Sequence, residues 1–229
     1  MSVPEFLRNP GRPRGNESDC RARLLAAAMA AFSAGGYEGA SLRAIALAAG
    51  CDVSMVAHYF GSKAELWLTI IDEAAKHMQA SHESVADRLY DPAAPIEQRV
   101  RCGIEFLFDN IAANPGLASL VLREAGSEGE RAECVETRLI RPNLAFYRPL
   151  WEEAMRAGIF GQANVVVAHA ALIGAISMLV SSRHSLSRLA GEEMDVERLR
   201  EAFCRGVIGR AAGQAEPPRS EERRVGKEC

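Results

Sequence analysis

Ser54, Ala57 and His58 fall on one side of the stretch 52–60 if that stretch is helical, and Val56 and Phe60, at i and i+4, fall on the other. A short helix that is small and polar outside and apolar inside can enter a major groove about 12 Å wide. The chemistry open to Ser54 and His58 there is hydrogen bonding to base edges. Val53, Met55 and Ala57 can offer only methyl and methylene contact. Two cationic features flank this stretch. Lys63 follows Ser62 at the start of a further helical segment, where unpaired backbone N–H groups and the helix dipole attract a phosphate. Arg12 and Arg14, in Gly11-Arg12-Pro13-Arg14-Gly15, form an Arg-Pro arm suited to a minor groove.

These side chains need a helix-turn-helix to hold them. The segment 41–49 is a first short helix with Ile45 and Ala49 turned inward, Gly50 permits a sharp turn, and Asp52 caps the second helix. Ahead of them, 18–34 reads as a helix with Leu24, Leu25, Ala28, Met29 and Phe32 on one face, stopped at Gly35-Gly36. Behind them, Ser62 and Glu65 make a capping box that opens a helix running towards residue 89. On spacing alone, the competing reading is an ordinary three-helix subdomain with a solvated surface.

The rest of the chain continues the helical period, with few alternating β-branched runs, giving about nine helices in all. The further segments are 96–113, 117–125, 130–157, 163–189 and 196–212. Pro142 and Pro149 each remove a backbone donor, so 130–157 is expected to kink or split. The run 165–180 is apolar nearly all round. At 16 residues, with His169 inside it, it falls short of the roughly 20 that a membrane span needs. No membrane partner is therefore expected, and such a helix can instead be buried both against its own core and against a partner chain.

Composition excludes several classes. The 229 residues are 48% hydrophobic and 25% charged with a net charge of -3, which rules out wholesale disorder and a uniformly basic coat. Residues 1–66 carry seven basic and six acidic side chains, so the negative excess lies in the remainder. Nucleophile-elbow, P-loop, GxGxxG and HExxH patterns are absent, so no enzyme, cofactor or metal is expected. The six cysteines are too widely spaced for a zinc-ligand pair and are expected to be reduced and mostly buried. The N-terminal stretch 1–16 has no apolar core of a signal peptide, which suggests a cytoplasmic protein. Residues 219–229, RSEERRVGKEC, resemble the translation of a short-read sequencing adapter and are expected to be a read-through artefact, the alternative being a disordered charged tail.

Residues 20–67 resemble the TetR/AcrR family of transcriptional regulators. The resemblance is carried by Phe32-Ser33-Ala34-Gly35-Gly36-Tyr37, by Ser41-Leu42-Arg43-Ala44-Ile45-Ala46 with Ala49-Gly50, and by His58-Tyr59-Phe60-Gly61-Ser62-Lys63-Ala64-Glu65-Leu66. It implies an all-α protein: an N-terminal arm (1–17), a three-helix helix-turn-helix domain (18–66), a C-terminal helical effector-binding and dimerisation domain (67–213) and a tail (214–229). It implies DNA contacts from Ser41, Arg43, Val53, Ser54, Met55, Ala57 and His58, and phosphate contacts from Tyr59 and Lys63. Ala57 departs from the family, which mostly carries Tyr there, so His58 and Tyr59 are expected to take over.

The resemblance further implies a homodimer built from the eighth and ninth helices. Ala171, Gly174, Ala175 and Met178 would lie on one, and Leu199, Phe203 and Val207 on the other. It also implies a pocket for an unidentified small molecule, with Trp67, Phe106, Asn110, Arg123, Asn143, Tyr147, Trp151 and His169 as candidate lining. The competing readings are plain core packing for the aromatics, a structural or surface pair with Glu124 for Arg123, and a satisfied or interface histidine for His169. The function implied is a repressor that binds a near-palindromic double-stranded operator and is released by its effector. The alternative is an effector-independent activator or structural DNA-binding dimer.

Overall fold

A computed structural model describes residues 15–161 and 164–208. Arg12, Arg14 and the tail 209–229 lie outside the described residues. The described chain is all helical: α1 (Gly15–Gly39), α2 (Leu42–Ala49), α3 (Ser54–Phe60), α4 (Lys63–Leu89), α5 (Ile96–Ala113), α6 (Pro115–Ala125), α7 (Glu130–Val135), a π-helical turn (Glu136–Ile140), α8 (Arg141–Arg156), α9 (Val165–Ser181), α10 (Arg183–Ala190) and α11 (Val196–Ile208).

Two hydrophobic cores share one helix. The first gathers Leu24, Leu25, Ala28, Met29 and Phe32 of α1 with Ile45 of α2, Val56 and Phe60 of α3, and Leu66, Trp67, Ile70 and Ile71 of α4. It also takes in Leu120, Val135 and Leu139, so the core of the first three helices does not end at residue 66 but continues into α6, α7 and the π turn. The second core gathers Val85 and Leu89 from the far half of α4 with α5, α8, α9 and α11, centred on Phe108, Tyr147, Leu150, Trp151 and Ile176. α4 is thus a member of both cores.

Of the kink or split expected around Pro142, the structure shows no split. α7, the π turn and α8 follow one another without a break, and the Arg141 N–H bonds to the Glu136 carbonyl, five residues back. The widened turn places Pro142 in the first turn of α8, where a missing N–H is tolerated. The segment 163–189 does break. α9 and α10 meet at Ser182 with a bend of 72°. No single described helix is long and apolar enough to cross a membrane, and these two pass such a test only as a bent pair.

Gly36 kinks α1 at φ 70°, and a Cβ there would meet Arg123 Cδ at 3.3 Å. Arg123 Nη2 lies 3.4 Å from the carbonyls of both Ser33 and Ala34, and Ser33 Oγ donates to the Gly116 carbonyl at 2.7 Å. α6 therefore grips the end of α1 through backbone carbonyls. Arg99, buried on α5, is held by the Glu153 carboxylate of α8, with one contact at 3.0 Å.

Candidate nucleic-acid interface and effector cavity

Gly50 ends α2 in the left-handed region, at φ 64°, and its N–H reaches the carbonyls of Ala46 and Leu47. Asp52 then accepts from Ser54 N at 2.8 Å and from Ser54 Oγ at 2.6 Å, and these bonds hold its carboxyl below the usual range. The start of α3 is therefore capped, and the Ser54 hydroxyl spends its proton on Asp52, leaving only lone pairs for a base. Val56 and Phe60 are buried, whereas Val53, Ser54, Ala57 and His58 are exposed and Met55 and Tyr59 are half-buried. Ser41 and Arg43 are exposed at the start of α2. Ser62 Oγ accepts from Glu65 N at 3.2 Å and caps α4. Lys63, in the first turn of α4, holds its ammonium 4.5 Å from the centre of the Tyr37 ring, over which Arg131 Cζ also sits at 4.4 Å.

These features form a short, capped helix with a free outer face beside a cationic helix start. The family model for bacterial regulatory proteins of the tetR family matches residues 24–70. Over that stretch the chain is similar to the tetR family. Over 179 residues, 76% of this chain and 82% of the relative, it is 27% identical to the HTH-type transcriptional repressor NicS of Pseudomonas putida. The tetR-family regulator PfmR of Thermus thermophilus superposes with a TM-score of 0.60 at 21% identity, covering 82% of this chain and 95% of that one. FadR of Bacillus subtilis, whose structure holds stearoyl-CoA, gives a TM-score of 0.57 at 18% identity over 81% of this chain and 96% of that one. The chain accordingly shares the helical fold of these structures, and its residues 24–70 resemble the tetR family.

Between the two cores lies a cavity of about 150 Å³. Its walls include Met78 and His82 of α4, Leu107, Asn110 and Ile111 of α5, Leu117 and Val121 of α6, and Asn143 and Tyr147 of α8. Among the described residues, no Lys, Arg, Asp or Glu lines it. His82 stacks on Phe146 with ring centres 3.9 Å apart, and burial pulls its pKa down to about 4, so the ring is neutral at pH 7.

Of the eight expected lining residues, Asn110, Asn143 and Tyr147 reach this cavity. The other five do not line it. Trp67 is packed in the first core, edge-on to Tyr37. Phe106 faces a separate cleft with Arg88, Arg101 and Arg200. Arg123 grips α1. Trp151 is buried, and its indole N–H donates to His169 Nδ1 at 3.0 Å. His169 is 3% exposed, and its Nε2 lies 2.9 Å from Asn143 Oδ1. With Nδ1 accepting, Nε2 carries the proton, so both ring nitrogens are satisfied. Burial and the neighbouring His82 pull its pKa down to about 4. His169 thus acts behind the wall, orienting Asn143. His82, missed by sequence reasoning, is what Asn143 meets next, its Nδ2 lying 3.4 Å from His82 Nε2. The period of α4 could have shown that His82 follows Met78 by one turn on the inward face.

On α9, Ala171, Ala175 and Met178 are exposed, with Met178 at 63% and the neighbouring Val167 at 62%. Gly174 is half-buried among them. The stripe expected on α11 faces the other way. Leu199 is buried in the chain's own second core, and Phe203 and Val207 pack against it, with Phe203 6.3 Å from Phe108. The outer face of α11 carries Glu197, Arg198, Glu201, Ala202 and Arg205 instead. A stripe satisfied within its own subunit and one awaiting a partner have the same period, which is why sequence could not separate them.

Two cysteines also depart from expectation. Cys20 of α1 and Cys51 of the helix-turn-helix turn are joined as a disulfide across 31 residues, whereas Cys102, Cys134 and Cys204 are free.

Proposed function

We propose that this regulator is a repressor that binds a near-palindromic operator as a homodimer and lets go when a small uncharged molecule occupies the cavity between its two cores. The observation that carries the DNA half is the exposed face of α3, positioned by a capped start and a buried back. Ser41 and Arg43 from α2 and Val53, Ser54, Met55, Ala57 and His58 from the recognition stretch face DNA. Tyr59 and Lys63 hold phosphates, and Arg12 and Arg14 extend this into a minor groove. His58 is the strongest candidate for base discrimination, because Ala57 and Val53 lack polar side-chain atoms and the Ser54 proton is already given to Asp52.

Dimerisation supplies the second half-site about 34–36 Å away or a multiple of that. The exposed apolar face of α9 around Ala171, Ala175 and Met178 supports it, with the small and charged outer face of α11 at its rim. The domain reading follows: residues 18–66 read DNA, and 67–213 sense and dimerise. The setting is the cytoplasm, where the operator is.

The cavity supports the effector half. At about 150 Å³ and without a charged wall, it suits a compact neutral molecule rather than a ligand of the size and charge of a coenzyme A thioester. Entry there would press on α4 between the two cores, and so on the start of α4 beside α3. A coupling of about 1–3 kcal/mol changes operator affinity roughly 5–150-fold. The test is a gel shift with the intergenic DNA beside the gene: a retarded complex of two protomers, dissolved by a small molecule, supports the reading.

A further inference from the structure

Cys20 and Cys51 are the only cysteines joined to one another among the described residues, and they sit at a mechanically sensitive place. Cys51 lies between Gly50, which turns the chain, and Asp52, which caps the recognition helix. Cys20 lies on α1, buried to 7% exposure against the same turn. Their Cα atoms are 6.3 Å apart, inside the span that a disulfide bridges without moving backbone. The two sulfurs are unequal. Cys51 is partly accessible, and Arg23 Nη2 lies 3.7 Å from its sulfur while Arg23 Nε is fixed on the Ala49 carbonyl at 2.8 Å. A guanidinium so placed stabilises negative charge on the attacking sulfur. The three free thiols also have arginines near them, but burial outweighs those charges. Burial pushes the thiols of Cys102 and Cys134 up, and that of Cys204 up to about 11, so they stay protonated.

We propose that Cys20 and Cys51 are a reversible redox site for peroxides, whose disulfide clasps the helix-turn-helix turn to α1. The Cys51 thiolate attacks one oxygen of hydrogen peroxide and breaks the O–O bond. Hydroxide leaves and is protonated to water, and Cys51 becomes a sulfenic acid. The Cys20 sulfur then attacks the Cys51 sulfur. The S–S bond forms, the S–O bond breaks, and a second water departs with the proton of Cys20. Two thiols are oxidised and one peroxide is reduced to two waters. Exchange with a small dithiol reverses the bond. That the site cycles rests on the cytoplasmic setting proposed above, where such pairs are held reduced until oxidant appears. Closing the loop between Cys20 and Cys51 removes freedom from the unfolded chain and ties the recognition helix to α1.

The test uses the full chain with Cys229→Ser, reduced with dithiothreitol, freed of it, then titrated with hydrogen peroxide. Alkylation and mass mapping without reduction should show the Cys20 and Cys51 peptides joined, two hydrogen atoms lighter, before Cys102, Cys134 or Cys204 loses reactivity. The oxidised protein should melt higher than the reduced one by roughly 5 °C or more. Amides of 50–60 should exchange more slowly with solvent in the oxidised form. Cys51→Ser, at a half-buried site that tolerates a hydroxyl, should remove both differences. Oxidation of any other thiol first would overturn the proposal, as would a joined pair with unchanged melting and exchange. Neither readout needs DNA or effector, so failure to find an operator would leave this result standing.

Discussion

The Lys63 ammonium lies 4.5 Å from the centre of the Tyr37 ring, so the start of α4 is held against the end of α1 by a cation over an aromatic face. The same ring carries Arg131 of α7 at 4.4 Å, and Arg131 in turn lies 3.4 Å from Glu38. A proposed phosphate-binding lysine is therefore connected through one ring to α7, which runs on into the π turn whose Leu139 and Ile140 line the cavity. Lys63→Ala should weaken binding to every DNA sequence and reduce the salt dependence by about one ion. Fluorescence anisotropy across a salt series reads both. A loss confined to one base position would mean that Lys63 contacts a base.

His58→Ala should act differently. It removes the one exposed side chain of α3 with two ring nitrogens able to meet base edges. Affinity for the operator should fall by about 1–3 kcal/mol, with affinity for random duplex nearly unchanged. Competition between operator and random DNA measures the ratio directly.

The cavity can be closed from inside. Ala118 lines it, and Ala118→Phe would place a ring in a space of about 150 Å³. The variant should bind operator as the parent does but no longer release it with effector. Calorimetry should show no effector binding. A variant that still responds would place the effector elsewhere.

His82 and His169 tie stability to acid. Each has its folded pKa pulled to about 4 from an ordinary 6.5, so the unfolded chain holds more protons between those values. Stability is therefore complete above about pH 6.5 and falls as pH drops towards 4. For His169 the loss reaches up to roughly 3 kcal/mol. His169→Leu should flatten this slope. It should also cost roughly 2–4 kcal/mol at pH 7, because it leaves the Trp151 N–H and Asn143 Oδ1 unpaired. Urea melts at several pH values test both effects.

The helix-turn-helix was legible in sequence because its signals are local. Gly50, Asp52, Ser62 and the i, i+4 pairs each act within one turn of chain. The cavity wall was not, because it depends on which of several similar aromatics faces the gap between cores. Trp67 and Trp151 look alike as candidates, yet each is consumed by packing, and Trp151 spends its N–H on His169. Arg123 reads in sequence as a structural or surface pair with Glu124 as well as an effector contact, and its partners, the Ser33 and Ala34 carbonyls, could not be named because they lie about ninety residues away. In the segment 130–157 the expected distortion at Pro142 takes a form no propensity announces, a π turn that absorbs the proline without a split.

The exposed stripe of α9 bears on assembly. Met178→Glu places a charge where Met178 is 63% exposed and needs no repacking within the subunit. The isolated chain should stay folded, sediment as a monomer and bind operator far more weakly. An unchanged dimer would move the interface off α9.

DNA recognition by α3 is tested most directly by quantitative binding of the full protein to the intergenic DNA beside its gene, with a scrambled duplex of equal length as control. Two protomers should occupy a near-palindromic site, with at least about a thousandfold preference over the scrambled duplex at moderate salt, and that preference should fall roughly 5–150-fold with His58→Ala. Equal affinity for both duplexes, or no complex at low salt, would contradict this reading of the regulator.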